Sequence, residues 1–524
     1  MSESRQIARR AGVVAAGTLA SRVLGFARDA ALAAVFPAAR MDAFVVAFTI
    51  PNTLRRLLGE GDLTAAFVPV LAETTQNDGE AAARIFVRRV LGALSAVLAL
   101  VTVLGIVFAP AIVMLFASGY RATPGKFELT VTLTRGMFPY IACMGLAALA
   151  MGVLNSRRRF FATAFSPVWL NVALLAAMFG LAPVFGARGI EPVLALAVGV
   201  AVGGVLQVAF QLPSLRREGF LAAPAWDLSD PSVRKVARLM IPGFFGLAVY
   251  QIDVMLSRSF LSGLPEGSNT YFYLAMRLTE LPQGLFTMAI ASAALPSLSA
   301  MAARGESDAL KTAWGDSMRL SLFFAIPAAA ICVALAVPLV AVVFQRGEFT
   351  HPMALQTAKA LVCQGAGIVV VAAVRQTVPM FFALQDTRTP RTLAAVNLAV
   401  FIGACLALRG PMQHAGISLA VTLAATVQVV LLVALLRRKV GKLGLRRVAS
   451  SVLKIGVASA VMTVVAYGVA TQGAWASGGT LRNTAVLLGA LACGGAAFLL
   501  VARVARCPEL GELRAALRRR GSVG

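Results

Sequence analysis

Long apolar stretches recur along the chain, broken by short polar ones, with neither the strict alternation of strands nor the narrow stripe of a soluble amphipathic helix. A helix needs about 20 mainly apolar residues to cross the hydrocarbon core of a bilayer. Fourteen runs meet that length, near 11–36, 43–71, 86–116, 128–153, 160–182, 190–213, 236–261, 271–299, 320–344, 357–383, 392–408, 413–436, 449–470 and 482–503. The gaps between them are too short for a soluble domain. The pattern predicts an all-α polytopic membrane protein of about 14 transmembrane helices.

Composition agrees with that reading. Of the 524 residues, 59% are hydrophobic and only 14% charged, against about 25% charged in soluble domains. The net charge of +25 would suggest nucleic acid in a soluble protein. Its placement argues otherwise. With both termini and the even-numbered loops on one side, that side collects two thirds of the 48 Lys and Arg, including Arg157-Arg158-Arg159 and Arg437-Arg438-Lys439. The positive-inside rule then places both termini in the cytoplasm. The basic excess becomes a topology signal whose neighbours are anionic lipid headgroups, and nucleic acid is not expected as a partner.

The six cysteines form no C-x-x-C pair, so no zinc site, metal centre or disulfide framework is expected. No phosphate-binding G-x-x-x-x-G-K-[ST] loop is present, which excludes nucleotide hydrolysis by that route. No nucleophile–base–orienter set stands out, so the chain does not read as an enzyme.

A weak internal similarity appears at a shift of about 225 residues. Residues 65–73 resemble 293–301, and 154–171 resemble 384–397, with Asn171 over Asn397. A shift of six helices preserves orientation and implies two pseudo-symmetric six-helix bundles, a transporter architecture; chance likeness between Ala/Leu-rich spans is the alternative. The expected divisions are 1–217, 230–440, helices 13 and 14 over 448–504, and a basic cytoplasmic tail over 505–524. Within the tail, 509–520 reads as a short basic helix on the inner membrane surface.

Against this apolar background five arginines stand inside spans: Arg22, Arg28, Arg55, Arg56 and Arg277. A cation at the bilayer centre costs about 2.5–3.5 kcal/mol on insertion scales, so each is expected to face a partner or a water-filled cavity. In the first helix Arg22 and Asp29 are seven residues apart and share a face, with Arg28 at its edge. In the second, Asn52, Arg56 and Glu60 form one stripe, with Arg55 about 100° away and Pro51 and Gly59 loosening the helix. In the eighth, Arg277 and Glu280 are one turn apart, followed by Pro282 and Gly284. Each group reads either as a cationic cavity lining or as a structural ion pair sealing two helices. Asp42, at the outer start of helix 2, either gates the cavity by pairing with an arginine or caps a helix. Asp253 and Asp386 are candidates for an ion site, although one carboxylate supplies far fewer oxygens than a hard cation takes. A cationic interior predicts an anionic cargo.

The segments "SRVLGFARD", "DAF…PNTLRRLLGEG…AFVPVLAE", "FPYI", "LN…RF…P…LN" and "GGVLQ…QLPSL" resemble the MurJ (MviN) family of the multidrug/oligosaccharidyl-lipid/polysaccharide exporter superfamily. The resemblance runs the length of the chain and is most specific in the first 75 residues. It implies a fourteen-helix flippase, without a cofactor, that carries lipid II, an undecaprenyl-pyrophosphate-linked peptidoglycan precursor, to the outer leaflet of the cytoplasmic membrane. It places the family's essential central-cavity arginines on Arg22, Arg28, Arg55, Arg56 and Arg277, with acidic companions at Asp29, Asp42 and Glu60. Some members are thought to hold a monovalent ion between helices 7, 11 and 12, with Asp253 and Asp386 as counterparts here. Cell-wall synthesis proteins are the protein partners that such a role suggests. Rival readings are a flippase for another polyprenyl-linked oligosaccharide and a multidrug antiporter of the same fold. The antiporter needs an acidic cavity for cationic drugs, whereas this interior is basic.

Overall fold

The computed structural model describes residues 3–58, 62–221, 223–227 and 230–512; side chains at 3–11, 56–58, 62, 65, 241–250 and 285 are outside the description. Among the described residues the chain is helical throughout, with no strand. It divides into two compact units, Met1–Glu266 and Gly267–Gly524.

The first unit comprises α1 (Glu3–Val35), α2 (Ala38–Leu58), α3 (Asp62–Val107), α4 (Ala109–Ala117), α5 (Lys126–Met137), α6 (Pro139–Ser156), α7 (Phe160–Phe165), α8 (Val168–Ala176), α9 (Ala182–Ala187), α10 (Ala195–Ala209), α11 (Leu212–Arg217) and α12 (Pro231–Ser262). Ala and Leu dominate these segments and favour helix. Prolines sit where a missing N–H costs nothing, at the first turns of α4, α6, α9, α11 and α12. The long α3 is broken at Gly79, whose φ of 84° suits glycine and separates two helical segments. α1 packs on α7 and α8, α2 on α5, and α3 on α6 and α12. Phe67 and Phe86 stack 5.5 Å apart within an apolar cluster that also takes in Leu149, Val153 and Val236.

The sequence pattern assigns α12 to the second bundle, whereas in the structure it packs within the first unit. Both of its ends are tied there. Asp230 caps it by accepting from the Ser232 and Val233 amides, and Arg89 pairs with Asp230. Lys235 lies 2.6 Å from Glu73, and at the far end the Gly119 amide donates to Ser262 Oγ.

The second unit comprises α13 (Ser268–Pro282), α14 (Met288–Ala303), α15 (Ser307–Ala334), α16 (Ala336–Phe344), α17 (His351–Ala383), α18 (Arg388–Val440), α19 (Leu445–Ala470) and α20 (Leu481–Val504). α17 is central, touching α13, α14, α15, α16 and α18, while α19 packs on α15 and α20. Trp314, Met318, Phe381 and Leu432 form one core, and Phe323, Ile455, Met462 and Phe498 another. The 53 residues of α18 would reach about 80 Å as one rod. Non-helical dihedrals at Gln413, two residues after Pro411, divide it into two crossing lengths.

Nine helical stretches among the described residues are long and apolar enough to span a membrane. One of them is the divided α18, so they account for ten crossings. The helices outside that count include α1, α2, α12 and α13, and buried charges lie on α1, α2 and α12 (Arg28, Asp29, Asp42, Arg258) and on α5 (Lys126). Adding these four helices is consistent with the expected fourteen. Lipid-facing positions are apolar and exposed, as at Leu100, Val103 and Val107 of α3, which a bilayer accommodates and water does not.

Candidate functional site

Three cations among the described residues of the first unit are buried, Arg28 on α1, Lys126 on α5 and Arg258 on α12. Arg28 and Asp29 are 7% and 0% exposed. The Arg28 guanidinium folds onto its neighbour, donating from Nε and Nη2 to Asp29 Oδ1 at 3.0 and 2.6 Å. Its Nη1 donates across to Asn171 Oδ1 on α8, at 3.1 Å. Asn171 in turn donates to the Ser21 carbonyl at 3.2 Å, which fixes the amide's orientation. The Phe48 ring of α2 lies 5.9 Å from the guanidinium carbon, within cation–π range. The charge is therefore held by a carboxylate, an amide and a ring from three helices.

Arg22 differs. It is half-buried, two turns from Asp29, and makes no hydrogen bond or ion pair among the described residues. Asp29 serves Arg28 rather than the Arg22 suggested by helical phase. On α2, Arg55 Nε donates to Asn52 Oδ1 at 3.0 Å. The expected Asn52–Arg56–Glu60 stripe falls partly outside the described residues, which exclude the Arg56 side chain and Glu60.

Asp42 pairs with a lysine. It lies a turn inside α2, and its Oδ2 takes a 2.9 Å bond from Lys126 Nζ at the start of α5. Both are buried, at 2% and 4% exposure. The ammonium also lies 4.5 Å from the centre of the Tyr120 ring, whose hydroxyl donates to the Asp42 carbonyl.

In the second unit, Arg277 Nη1 donates to Glu280 Oε2 at 2.8 Å along one face of α13. The expected bend follows as a π-helical turn, Gln283–Thr287, after Pro282. Such turns widen a helix and often lie at functional sites.

The two candidate ion ligands have unlike surroundings. Asp253, on α12, keeps Oδ1 buried with no hydrogen-bond partner among the described residues. Asp386 is satisfied: it accepts from the Thr389 amide and hydroxyl and from Lys439 Nζ at 2.8 Å. The Lys439 ammonium and the Thr389 donors hold its carboxyl well below the usual carboxylate range. This is the pattern of a helix-start cap for α18. No group of three or more His, Cys, Asp or Glu able to hold a metal ion occurs among the described residues, and all six cysteines are free.

Sequence reasoning missed three contributors to these clusters. Lys126 looked like a loop charge at the outer end of a helix, Phe48 like one more apolar residue, and Asn171 like a mark of the repeat. Only Asn171 carried a signal, an amide inside an apolar run.

Chemically, the arrangement presents arginines inside membrane helices: Arg22 with no carboxylate among the described residues, and Arg28 and Arg277 each against a carboxylate of its own helix. Arginine stays charged when desolvated and donates in a planar fork that fits phosphate and carboxylate oxygens.

Comparison with known proteins narrows the class. A solved structure described as lipid II flippase MurJ in an inward closed conformation superposes with a TM-score of 0.75 at 22% identity, covering 94% of this chain and 98% of that one. An inward-facing multidrug resistance MATE family transporter superposes at 0.64 and 15% identity, covering 80% and 95%. The fold is that of a multi-pass helical membrane protein of the MATE-like class. The family model described as lipid II flippase MurJ matches residues 32–485. The probable lipid II flippase MurJ of Vibrio cholerae is 33% identical over 511 residues, 95% of this chain and 96% of that protein. The lipid II flippase MurJ of Burkholderia cenocepacia is 36% identical over 427 residues, covering 80% and 82%. The chain belongs to the lipid II flippase MurJ family.

Proposed function

We propose that this protein moves lipid II from the inner to the outer leaflet of the cytoplasmic membrane. Arg22, Arg28, Arg55, Arg56 and Arg277 would engage the pyrophosphate and peptide carboxylates while the polyprenyl tail stays in lipid. The observation that carries the reading is Arg22, a half-buried arginine inside a membrane helix with no acidic partner among the described residues. A structural cation would be neutralised; one kept for an anionic cargo stays open to it. Arg28 supports the same reading, because one of its donors is held by the Asn171 amide, and a diphosphate oxygen is a stronger acceptor than an amide. Alternating access follows as the mechanism: the arginines take the headgroup from one side, and Asp29 and its acidic counterparts reclaim them on release to the other.

The cytoplasm is negative, so an anionic headgroup moving outward runs with the field, worth about 2.3 kcal/mol per charge per 100 mV. With both termini cytoplasmic, no nucleotide is needed. The test is replacement: the resident lipid II flippase of a bacterium is depleted and this gene supplied. Restored growth together with outward exposure of lipid II, measured directly, is the expected result. Growth without exposure, or exposure of a different polyprenyl-linked sugar only, would assign another cargo.

A further inference from the structure

A second cationic site lies in the second unit, on α15 and the start of α19. A cavity of about 540 Å3 is lined by Arg319 of α15, by Gly444, Arg446, Arg447, Ser450, Ser451 and Lys454 at the start of α19, and by Pro508. Helical spacing explains the gathering. Arg446, Ser450 and Lys454 follow at i, i+4 and i+8, and Arg447 and Ser451 run beside them.

The lining divides into a fixed wall and open cations. Arg319 is taken by acids: it lies 2.6 Å from Asp316, 3.4 Å from Glu512 and 3.7 Å from the buried Glu509. Ser451 donates to Glu509, pinning the C-terminal segment against α19. The side chains of Arg446, Arg447 and Lys454, by contrast, have no hydrogen bond or ion pair among the described residues. Lys454 is half-buried nine residues into α19, so it is not a loop charge reaching open water. Arg446 and Arg447 are exposed and Lys454 half-buried, and an anion that joins the three relieves the repulsion among like charges lining one cavity. α19 starts at Gly444 without a side-chain cap, leaving first-turn amides facing the same end.

The neighbouring surface decides what kind of anion. Leu453, Val457, Val461 and Val464 form an exposed apolar stripe along α19 beside Lys454, with Leu453 at 70% and Val464 at 73% exposure. A cationic pocket with hydroxyl donors that continues into a lipid-facing stripe fits an amphiphile, phosphate at the pocket and acyl chain along the helix. We propose that this pocket binds the phosphodiester headgroup of an anionic phospholipid, distinct from the transported cargo.

The test uses the full chain in phosphatidylcholine nanodiscs doped with phosphatidylglycerol, with retained lipid counted by native mass spectrometry. The wild type should retain phosphatidylglycerol preferentially. Replacing Arg446, Arg447 and Lys454 together by Gln should weaken retention about tenfold or more, since charge-assisted bonds are lost. Arg446→Lys with Arg447→Lys should keep most of it. The pair Arg437→Gln and Arg438→Gln, basic residues outside the lining, should keep all of it. If the triple variant fails to fold, Lys454→Gln alone must still lower retention severalfold. Unchanged retention in the folded triple or the Lys454 variant would overturn the site. Equal loss in the Arg437/Arg438 pair would reduce it to bulk surface charge and overturn it too. Displacement of phosphatidylglycerol by millimolar inorganic phosphate would assign the pocket to a soluble phosphate and overturn the lipid.

Discussion

The Arg28–Asp29 pair separates a cation kept for cargo from one kept for the fold, because the two roles respond differently to removing one partner and to removing both. Arg28→Met leaves the carboxylate of Asp29, at 0% exposure, without the guanidinium that meets it at 2.6 Å. Stripping one partner from a buried pair costs about 3–5 kcal/mol. At an effective dielectric near 20, two unit charges 4 Å apart interact by about 4 kcal/mol, the same order. Removing both charges, with Arg28→Met and Asp29→Asn, abolishes the stranded carboxylate. The double variant should then return to within about 1 kcal/mol of wild type, as isosteric neutral replacements of buried pairs do. Stability is read from unfolding in mixed micelles titrated with denaturing detergent, and function from complementation of a flippase-depleted strain at matched membrane levels. Arg28→Met should be both unstable and inactive. The double variant should be stable and still inactive. A stable double variant that complements would show that Arg28 seals helices and does not bind cargo.

Other expectations follow from the same geometry. Arg22→Ala should abolish complementation with stability changed by less than about 1 kcal/mol, since no partner is stranded; Arg22→Lys should restore it only in part, because a point charge lacks the forked contact. Lys126→Met should destabilise the first unit by up to about 3–5 kcal/mol by taking the ammonium from buried Asp42, and Asp42→Asn with Lys126→Met should recover part of that in the same detergent titration. Asp386→Ala should cost about 1 kcal/mol as a lost helix cap and leave sodium dependence of transport unchanged; a lost ion response would restore it as an ion ligand. The Asp386 carboxyl is lowered in the fold, so its contribution is present above the unfolded value of about 3.9 and fades as pH falls through the folded one; the gap between wild type and variant should therefore close in acid. Collapsing the membrane potential at constant ATP should stop outward lipid II exposure, because two charges at 100 mV are worth about 4.6 kcal/mol; persistence at zero potential would point to an ion gradient instead.

Helices were the easy part to read. Apolar runs of bilayer length admit one backbone solution, so the crossings in α5–α6, α10, α15, α17, α19 and α20 were legible from composition alone. The polar helices were legible for the opposite reason: Arg22, Arg28 and Arg277 are conspicuous because lipid tolerates so few charges. What the sequence withheld was pairing. Helical phase put Asp29 with Arg22, since residues seven apart share a face, yet an arginine is long enough to fold onto its own neighbour, and Asn171 from α8 holds it there. The partner of Asp42 was hidden because Lys126 is 84 residues away, and nothing local marks a lysine at a helix start as buried. Placement of α12 was hidden too, because its ties run through Arg89, Glu73 and Gly119, all distant in sequence.

These gaps share one physical cause, and it bears on function. Local pattern reports what a residue costs in lipid, whereas only the fold reports who offsets that cost. A buried charge whose partner is found, as with Lys126 and Asp42, is accounted for by the protein itself. Arg22 in the first unit and Lys454 in the second are half-buried with no partner among the described residues, and on the readings proposed above each meets an external anion. They differ in depth. Arg22 lies mid-helix, where only a transiting headgroup brings an anion, whereas the α19 cluster lies at a helix start, where phospholipid headgroups are always at hand. Depth thus favours cargo as the anion proposed for Arg22 and the surrounding membrane as the source of the one proposed for the α19 cluster.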